Sequence, residues 1–408
     1  MVFERVQRIY SEYPRNFWAV IATLFIDQIG GALIFPFMGL YITTKFQVSM
    51  TEIGQLFTIF ALTGVFGSII GGAMTDKFGR KVAIIFGLIT SALSALVLGF
   101  TEDINIIYLT GGIIGLFSNV GGPAQQAMIA DLLPAEKRAD GFGILRVAAN
   151  LAITIGPAIG GVLATYSYLW LFIIDAAAST ITAIIVFLMI PETKPDTCAS
   201  TDRPNETILE TLEGYLQIGR DGLFMTFMFA SILMTLAYIQ INTTLPVFLR
   251  EVHGIPDQGY GYLLSLNAGM VVLFQFWITR RITHLRPMRV MVLGTLLYAI
   301  GFSMYGFVST YLLFITAMII ITIGEMLVTP VGQALVAKLA PEDMRGRYMA
   351  MFGFSHIIPF AVGPLIAGWI MDNYDPNWIW YACGIVSFIA IAFYLLLQFR
   401  DSDRFTEK

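Results

Sequence analysis

The stretch Gly72-Ala73-Met74-Thr75-Asp76-Lys77-Phe78-Gly79-Arg80-Lys81 lies at the junction of two apolar runs, 52–74 and 82–100. Each run has about the 20 residues that a helix needs to cross the hydrocarbon core of a bilayer. The junction therefore reads as a tight turn on one face of a membrane. Gly79 is free to take φ > 0, and Gly72 lets a neighbouring helix approach closely. Asp76 is placed to pair with a cation or to cap the N-terminus of a helix beside it. Lys77, Arg80 and Lys81 make the turn basic.

Working outward, apolar runs recur along the whole chain, near 17–44, 52–74, 82–100, 104–130, 140–165, 169–190, 222–250, 258–278, 290–307, 311–337, 347–371 and 377–399. The 408 residues are 57% hydrophobic and 13% charged, with mean hydropathy +0.74. A soluble chain carries about a quarter charged residues, so this one cannot cover itself with polar surface and takes lipid as solvent. Breaks after even-numbered spans are basic: Lys77, Arg80 and Lys81; Lys137 and Arg138; Arg280, Arg281, Arg286 and Arg289; Lys338, Arg345 and Arg347. Breaks after odd-numbered spans lean acidic, with Glu102, Asp103, Asp257, Asp372 and Asp375. The positive-inside rule then puts both termini in the cytoplasm, and the compact loops fit a multi-pass protein of a prokaryotic plasma membrane. The first run follows Glu4, Arg5, Arg8, Glu12 and Arg15 and is too long for a cleaved signal, so it reads as a first span.

Other classes find little support. The net charge is −4, with no basic patch of the size a nucleic-acid partner demands. Cys198 and Cys383 are too few for a disulfide framework, and His253, His284 and His356 share no metal-ligand spacing. No nucleophile–base pair, phosphate loop or metal motif appears, so neither an enzyme nor a cofactor is expected.

The longest polar stretch, 191–220, contains Pro191, Pro195, Pro204 and an amphipathic run from Glu206 to Gly219. It divides the chain into an N-terminal six-helix bundle, 1–190, a cytoplasmic central loop, 191–220, and a C-terminal six-helix bundle, 221–408. A shift of 207 residues brings Pro123, Gln126 and Ala127 onto Pro330, Gln333 and Ala334. The same shift brings Pro134 and Arg138 onto Pro341 and Arg345, and Gly156-Pro157 onto Gly363-Pro364. The fold class is an all-α membrane protein whose twelve transmembrane helices form two pseudo-symmetric bundles. Such a duplication is a transporter architecture, with a substrate site expected near midplane between the halves.

With the repeat in place, the opening stretch resembles the loop between helices two and three of the major facilitator superfamily, G-x-x-x-D-x-x-G-R-K. It is complete here at Gly72, Asp76, Gly79, Arg80 and Lys81. The resemblance covers the whole chain. It implies the major facilitator fold, alternating access, a small-molecule substrate, a proton gradient as energy source, no cofactor, and function as a monomer in the lipid bilayer. It also implies a gating latch, in which Asp76 and Arg80 meet Asp131 and Arg345 or Arg347 and hold the halves together in the outward-open state. The equivalent second-half loop, Thr279 to Arg289, has lost the Asp and the glycines.

In span five, Gly143, Gly156, Pro157, Gly160 and Gly161 fit G-x8-G-x3-G-P-x2-G-G, with Ala152 in place of the second glycine. Small residues allow close packing and Gly-Pro bends the helix. The pattern resembles the antiporter motif of drug:proton antiporters and implies export. Span four lacks the R-x-x-x-G of that branch, since Gly111 stands four residues before Gly115.

Ionisable residues inside spans are functional candidates because their burial is costly. Asp27, in Phe25-Ile26-Asp27-Gln28-Ile29-Gly30-Gly31, resembles the functional Asp in the first helix of tetracycline-type exporters. Glu325, in Gly324-Glu325-Met326-Leu327-Val328-Thr329-Pro330, resembles the mid-helix Glu of multidrug facilitators. Either carboxylate can exchange a proton or pair with a cationic substrate. Asp175 and His356 are further proton-coupling or substrate candidates. Gln28, Asn119, Asn150, Tyr238, Gln240, Asn242 and Asn267 are candidates to line the substrate cavity, with Gln125 and Gln275 beside them. The leading expectation is export of lipophilic small molecules, cationic ones among them, in exchange for protons. The competing one is a symporter or uniporter for a specific metabolite, lipid or nutrient.

Overall fold

A computed structural model describes residues 11–118, 120–194, 216–282, 284–341 and 344–400. Among the described residues, twelve helices are long and apolar enough to cross a membrane. They are α1 (Arg15–Phe46), α2 (Met50–Thr75), α3 (Arg80–Phe100), α4 (Ile104–Leu132), α5 (Asp140–Tyr166), α6 (Leu169–Met189), α7 (Gly222–Thr243), α8 (Asp257–Ile282), α9 (Pro287–Tyr305), α10 (Tyr311–Leu339), α11 (Arg347–Asn373) and α12 (Asn377–Phe399). Most of the 206–219 amphipathic run lies outside the described residues; residues 216–220 are helical.

Prolines and caps mark where these helices bend and begin. A 3-10 turn, Phe35–Phe37, interrupts α1 at Pro36. Pro157, Pro330, Pro359 and Pro364 sit inside helices, where the missing N–H bends the helix axis. Asp221 caps α7 by accepting from the backbone N–H groups of Leu223 and Phe224, both at 3.2 Å. The helix carrying α2 runs on to Phe78, and α3 starts at Arg80 with Gly79 as its N-cap at φ 102° and ψ 163°. The junction is thus a single glycine in a backbone region essentially closed to other residues, a tight turn at the glycine that the sequence marks for φ > 0.

The helices separate into two compact units. The first holds 1–47, 59–199 and 257–265; the second holds 48–58, 200–256 and 266–408. The segments 48–58 and 257–265, the first turns of α2 and α8, are thus each grouped with the other half of the chain. In the first unit Phe17 and Val20 of α1 pack with Ala83 and Ile84 of α3, Met128 of α4 and Val186 of α6. In the second, Phe224 and Phe227 of α7 pack with Met291 of α9, Val336 of α10 and Tyr394 of α12.

Helices in lipid gain little from burying apolar surface against each other, so close packing of small residues carries the association. A Cβ on Gly324 would stand 2.7 Å from the Gly294 carbonyl oxygen, which lets α9 and α10 cross at backbone distance. Outward-facing Phe66, Phe187 and Phe276 are 61%, 65% and 73% exposed. Such an apolar exterior suits a lipid surround and not water.

Candidate functional site

In the first unit a cavity of about 390 Å³ opens among α1, α2, α3, α4 and α6. Asp27, Gln28, Ser91, Ser94, Gln125 and Asp175 line its polar side, and Phe35, Met38, Phe60 and Leu98 its apolar side. Asp27 accepts a hydrogen bond from Ser179 Oγ at 3.0 Å, and Ser91 Oγ stands 3.5 Å from Ser179 Oγ. Asp175, one helical turn before Ser179 on α6, is 6% exposed. It has no hydrogen-bond or ion-pair partner among the described residues. Its Oδ1 rests against Gly30, one turn after Asp27 on α1, where a Cβ would overlap it. Two carboxylates are therefore stacked a turn apart on facing helices, and no Lys, Arg or His among the described residues lines the cavity.

The second unit holds a different arrangement. Glu325 on α10 accepts from Asn267 Nδ2 of α8 at 2.8 Å, and the same amide nitrogen reaches Thr322 Oγ1 at 3.0 Å. The Tyr238 hydroxyl at the end of α7 also bonds Glu325, and its ring stacks on Tyr298 of α9 at 5.9 Å. Gly324 makes room for Tyr298, whose Cδ1 would lie 2.8 Å from a Cβ at that position.

The α2–α3 junction forms a clasp inside the first unit. Arg80 Nε pairs with Asp131 Oδ2 at 3.1 Å, and Thr193 Oγ1 donates to the same oxygen at 3.3 Å. Glu192, just beyond α6, accepts from the backbone N–H groups of Arg80, Lys81, Thr193 and Lys194 at 2.9–3.1 Å. Burial acts to raise the Glu192 carboxyl, but the four N–H donors outweigh it and hold the group below its ordinary value of 4.5. Lys81 Nζ bonds the Phe187 carbonyl at 2.7 Å, and Lys194 Nζ bonds the Lys77 carbonyl at 3.0 Å. The side chains of Asp76 and Arg345 and all of Asn119 lie outside the described residues, and Arg347 begins α11.

Other expected positions divide. Gly156 meets Ala32, Gly160 meets the Leu33 carbonyl and Phe37, and Gly161 meets the first turn of α8, so these glycines and Pro157 seat α5 on its neighbours. Gly72 and Gly143 do not act this way. Nothing lies within 4 Å of a Cβ at either position among the described residues. Gln240 is tied into the end of α7 by Thr244 Oγ1 at 2.6 Å and by its own bond to the Leu236 carbonyl. His356 and Asn150 are exposed and Asn242 half-buried, and none of them joins either carboxylate cluster. Gln275 bonds Thr279 and the Met326 carbonyl. Sequence reasoning missed Ser91, Ser179, Thr322 and Glu192. The spacing of Ser179 four residues after Asp175 was a usable signal, whereas Glu192 read as the start of a linker.

Twelve apolar helices among the described residues, with carboxylates on them and a cavity between them, fit a membrane transporter. The sequence profile of the Major Facilitator Superfamily matches residues 20–285 and 253–408, and the chain belongs to that superfamily. A relative from Planococcus maritimus, described as a Na(+), Li(+), K(+)/H(+) antiporter, is 27% identical and covers 82% of this chain and 84% of its own. Multidrug resistance protein MdtH of Escherichia coli is 23% identical, over 95% and 90% of the two chains. The crystal structure of nucleoside transporter NupG superposes with a TM-score of 0.75 at 16% identity, covering 97% of this chain and 100% of that one. That likeness shows the fold.

Proposed function

We propose that this protein is a proton-coupled secondary transporter of a small cationic solute in the plasma membrane, with both termini in the cytoplasm. One observation carries the reading. Asp27, Asp175 and Glu325 lie on membrane helices, and none has a Lys, Arg or His partner among the described residues. A carboxylate removed from water without a countercharge is held neutral by a proton or paired with a cation. These states exclude one another, so loading the cation expels a proton.

The first-unit cavity supplies the seat: carboxylates and hydroxyls for the charge, and Phe35, Phe60 and Leu98 for an apolar body. Glu325, held by an amide and a phenol, is the proton-exchanging group of the second unit. The Planococcus relative's description as a cation/proton antiporter agrees with exchange at such carboxylates. A second reading, export of lipophilic drugs, draws on Gly156, Pro157, Gly160 and Gly161 of α5 and on the name of the Escherichia coli relative.

Inside-out vesicles under an imposed pH gradient test the proposal. Alkali ions, small amines and lipophilic cations are added in turn while lumenal pH is followed by dye fluorescence. Cation-dependent proton movement that is lost in Asp27→Asn is expected. Accumulation of a neutral or anionic solute, with no response to any cation, would overturn it.

A further inference from the structure

Where α8 ends and α9 begins, a second cavity of about 430 Å³ opens on the second unit. Its floor is apolar, with Ile282, Val290 and Leu327 buried together. Its rim carries His284, Arg286 and Arg289, and beside them Leu285 and Leu293, which are 53% and 49% exposed. No Asp or Glu among the described residues lines it. The neighbouring Arg280 and Arg281 lie over the rings of Phe276 and Trp277, at 5.6 and 4.1 Å, and do not line the cavity.

The helix beneath the rim adds to the field. Arg286 is the N-cap of the 19-residue α9 and makes no side-chain cap bond. Pro287 at the first helical position has no N–H and the Arg289 N–H already bonds the Arg286 carbonyl at 3.0 Å, so the helix contributes through its macrodipole, which favours an anion at this end.

We propose that this cavity seats one anionic phospholipid, its phosphate on Arg286 and Arg289 and its acyl chains over Leu285 and Leu293. Two features select a lipid over a free phosphate. The basic rim and the exposed leucines adjoin, so a single amphiphile satisfies both. The loop also joins two membrane spans, which places its arginines at headgroup level. The site is separate from both carboxylate clusters, so it stands or falls independently of the transport reading.

The test uses the purified full chain in nanodiscs of phosphatidylcholine with increasing phosphatidylglycerol, with retained lipid read by native mass spectrometry. Wild type is expected to keep phosphatidylglycerol over phosphatidylcholine. Arg286→Gln/Arg289→Gln is expected to cut that preference about 30-fold, at about 1 kcal/mol for each surface arginine. Arg280→Gln/Arg281→Gln removes the same charge and is expected to keep most of it. Leu293→Gln leaves the charge intact and is expected to weaken retention too, which keeps the proposal testable if the double arginine variant fails to fold. Equal retention of both lipids, equal loss in the two arginine pairs, or displacement of the lipid by millimolar inorganic phosphate would each overturn the proposal.

Discussion

The two halves of this transporter repeat their packing and not their charge. In the second unit a Cβ on Gly54 would stand 2.8 Å from the Pro364 carbonyl oxygen, and in the first a Cβ on Gly261 would stand 2.7 Å from that of Pro157. The 207-residue shift carries one crossing onto the other. The same shift moves Asp27 onto Met234, Asp175 onto Ala382 and Glu325 back onto Ser118. Helix crossings depend on the absence of side chains, so a duplicated bundle has to keep its glycines at the contacts. Charges serve a cycle and are free to diverge. The first unit leaves Asp175 without a partner beside Asp27, whereas the second surrounds Glu325 with Asn267 and Tyr238. The two units therefore hold their carboxylates in different hydrogen-bond surroundings.

The largest expected effect breaks that division directly. Glu325→Gln leaves the amide and phenol contacts near their present geometry but removes the exchangeable proton. Proton-driven accumulation in vesicles should fall to background while cation binding to purified protein persists. Uphill transport by the Glu325→Gln protein would show that the first unit couples protons alone.

Asp175→Asn should weaken binding of a small cation about tenfold, or about 1.4 kcal/mol. Gly30→Ala should do the same without touching an ionisable group, because the new methyl occupies the place of Asp175 Oδ1. Equilibrium binding to the purified protein measures both. If Gly30→Ala binds as wild type does, Asp175 does not face the cation.

The twelve helices and the repeat were legible because a span is a property of composition over about 20 residues, and proline and glycine spacings survive duplication. Asp27 and Glu325 were legible too, since one charge in an apolar run stands out. Their partners were not. Ser179 and Ser91 are ordinary membrane-helix hydroxyls, and only the packing of α1, α3 and α6 shows that Ser179 bonds Asp27 and that Ser91 stands beside Ser179. Gly72 illustrates the converse, a motif glycine whose Cβ position meets nothing within 4 Å among the described residues. Glu192 was hidden by its setting among Pro191, Thr193 and Lys194, a composition that reads as loop until four N–H groups are seen to converge on its carboxylate.

The two helix junctions sharpen the comparison at smaller cost. The shift places Gly79 on Arg286. Gly79 holds φ 102° and ψ 163°, whereas Arg286 sits at φ −63° and ψ 123°, open to any residue. The second junction lost its glycine because its backbone does not need one. Gly79→Ala should cost about 1–3 kcal/mol in backbone strain, and it also pushes against the Glu192 carboxylate. A lowered thermal unfolding temperature in detergent is the expected result.

The smallest effect concerns pH at the clasp of the first unit, whose Glu192 the shift carries onto Phe399. Glu192 is held below its ordinary value of 4.5 by the N–H groups that it accepts. A carboxyl lowered by folding contributes stability that is fully present above its unfolded value and is lost as pH falls through the folded one. The clasp should therefore stay closed from neutral pH down to about 4.5, and weaken only below. A cysteine introduced at Thr193 and probed with a thiol reagent should label at one rate between pH 7 and 5.5, after correction for thiolate fraction. Glu192→Gln, which has no charge to attract the four donors, should label faster across that same range. A labelling rate in wild type that climbs between pH 7 and 5.5 would mean that some other group, and not Glu192, governs the junction.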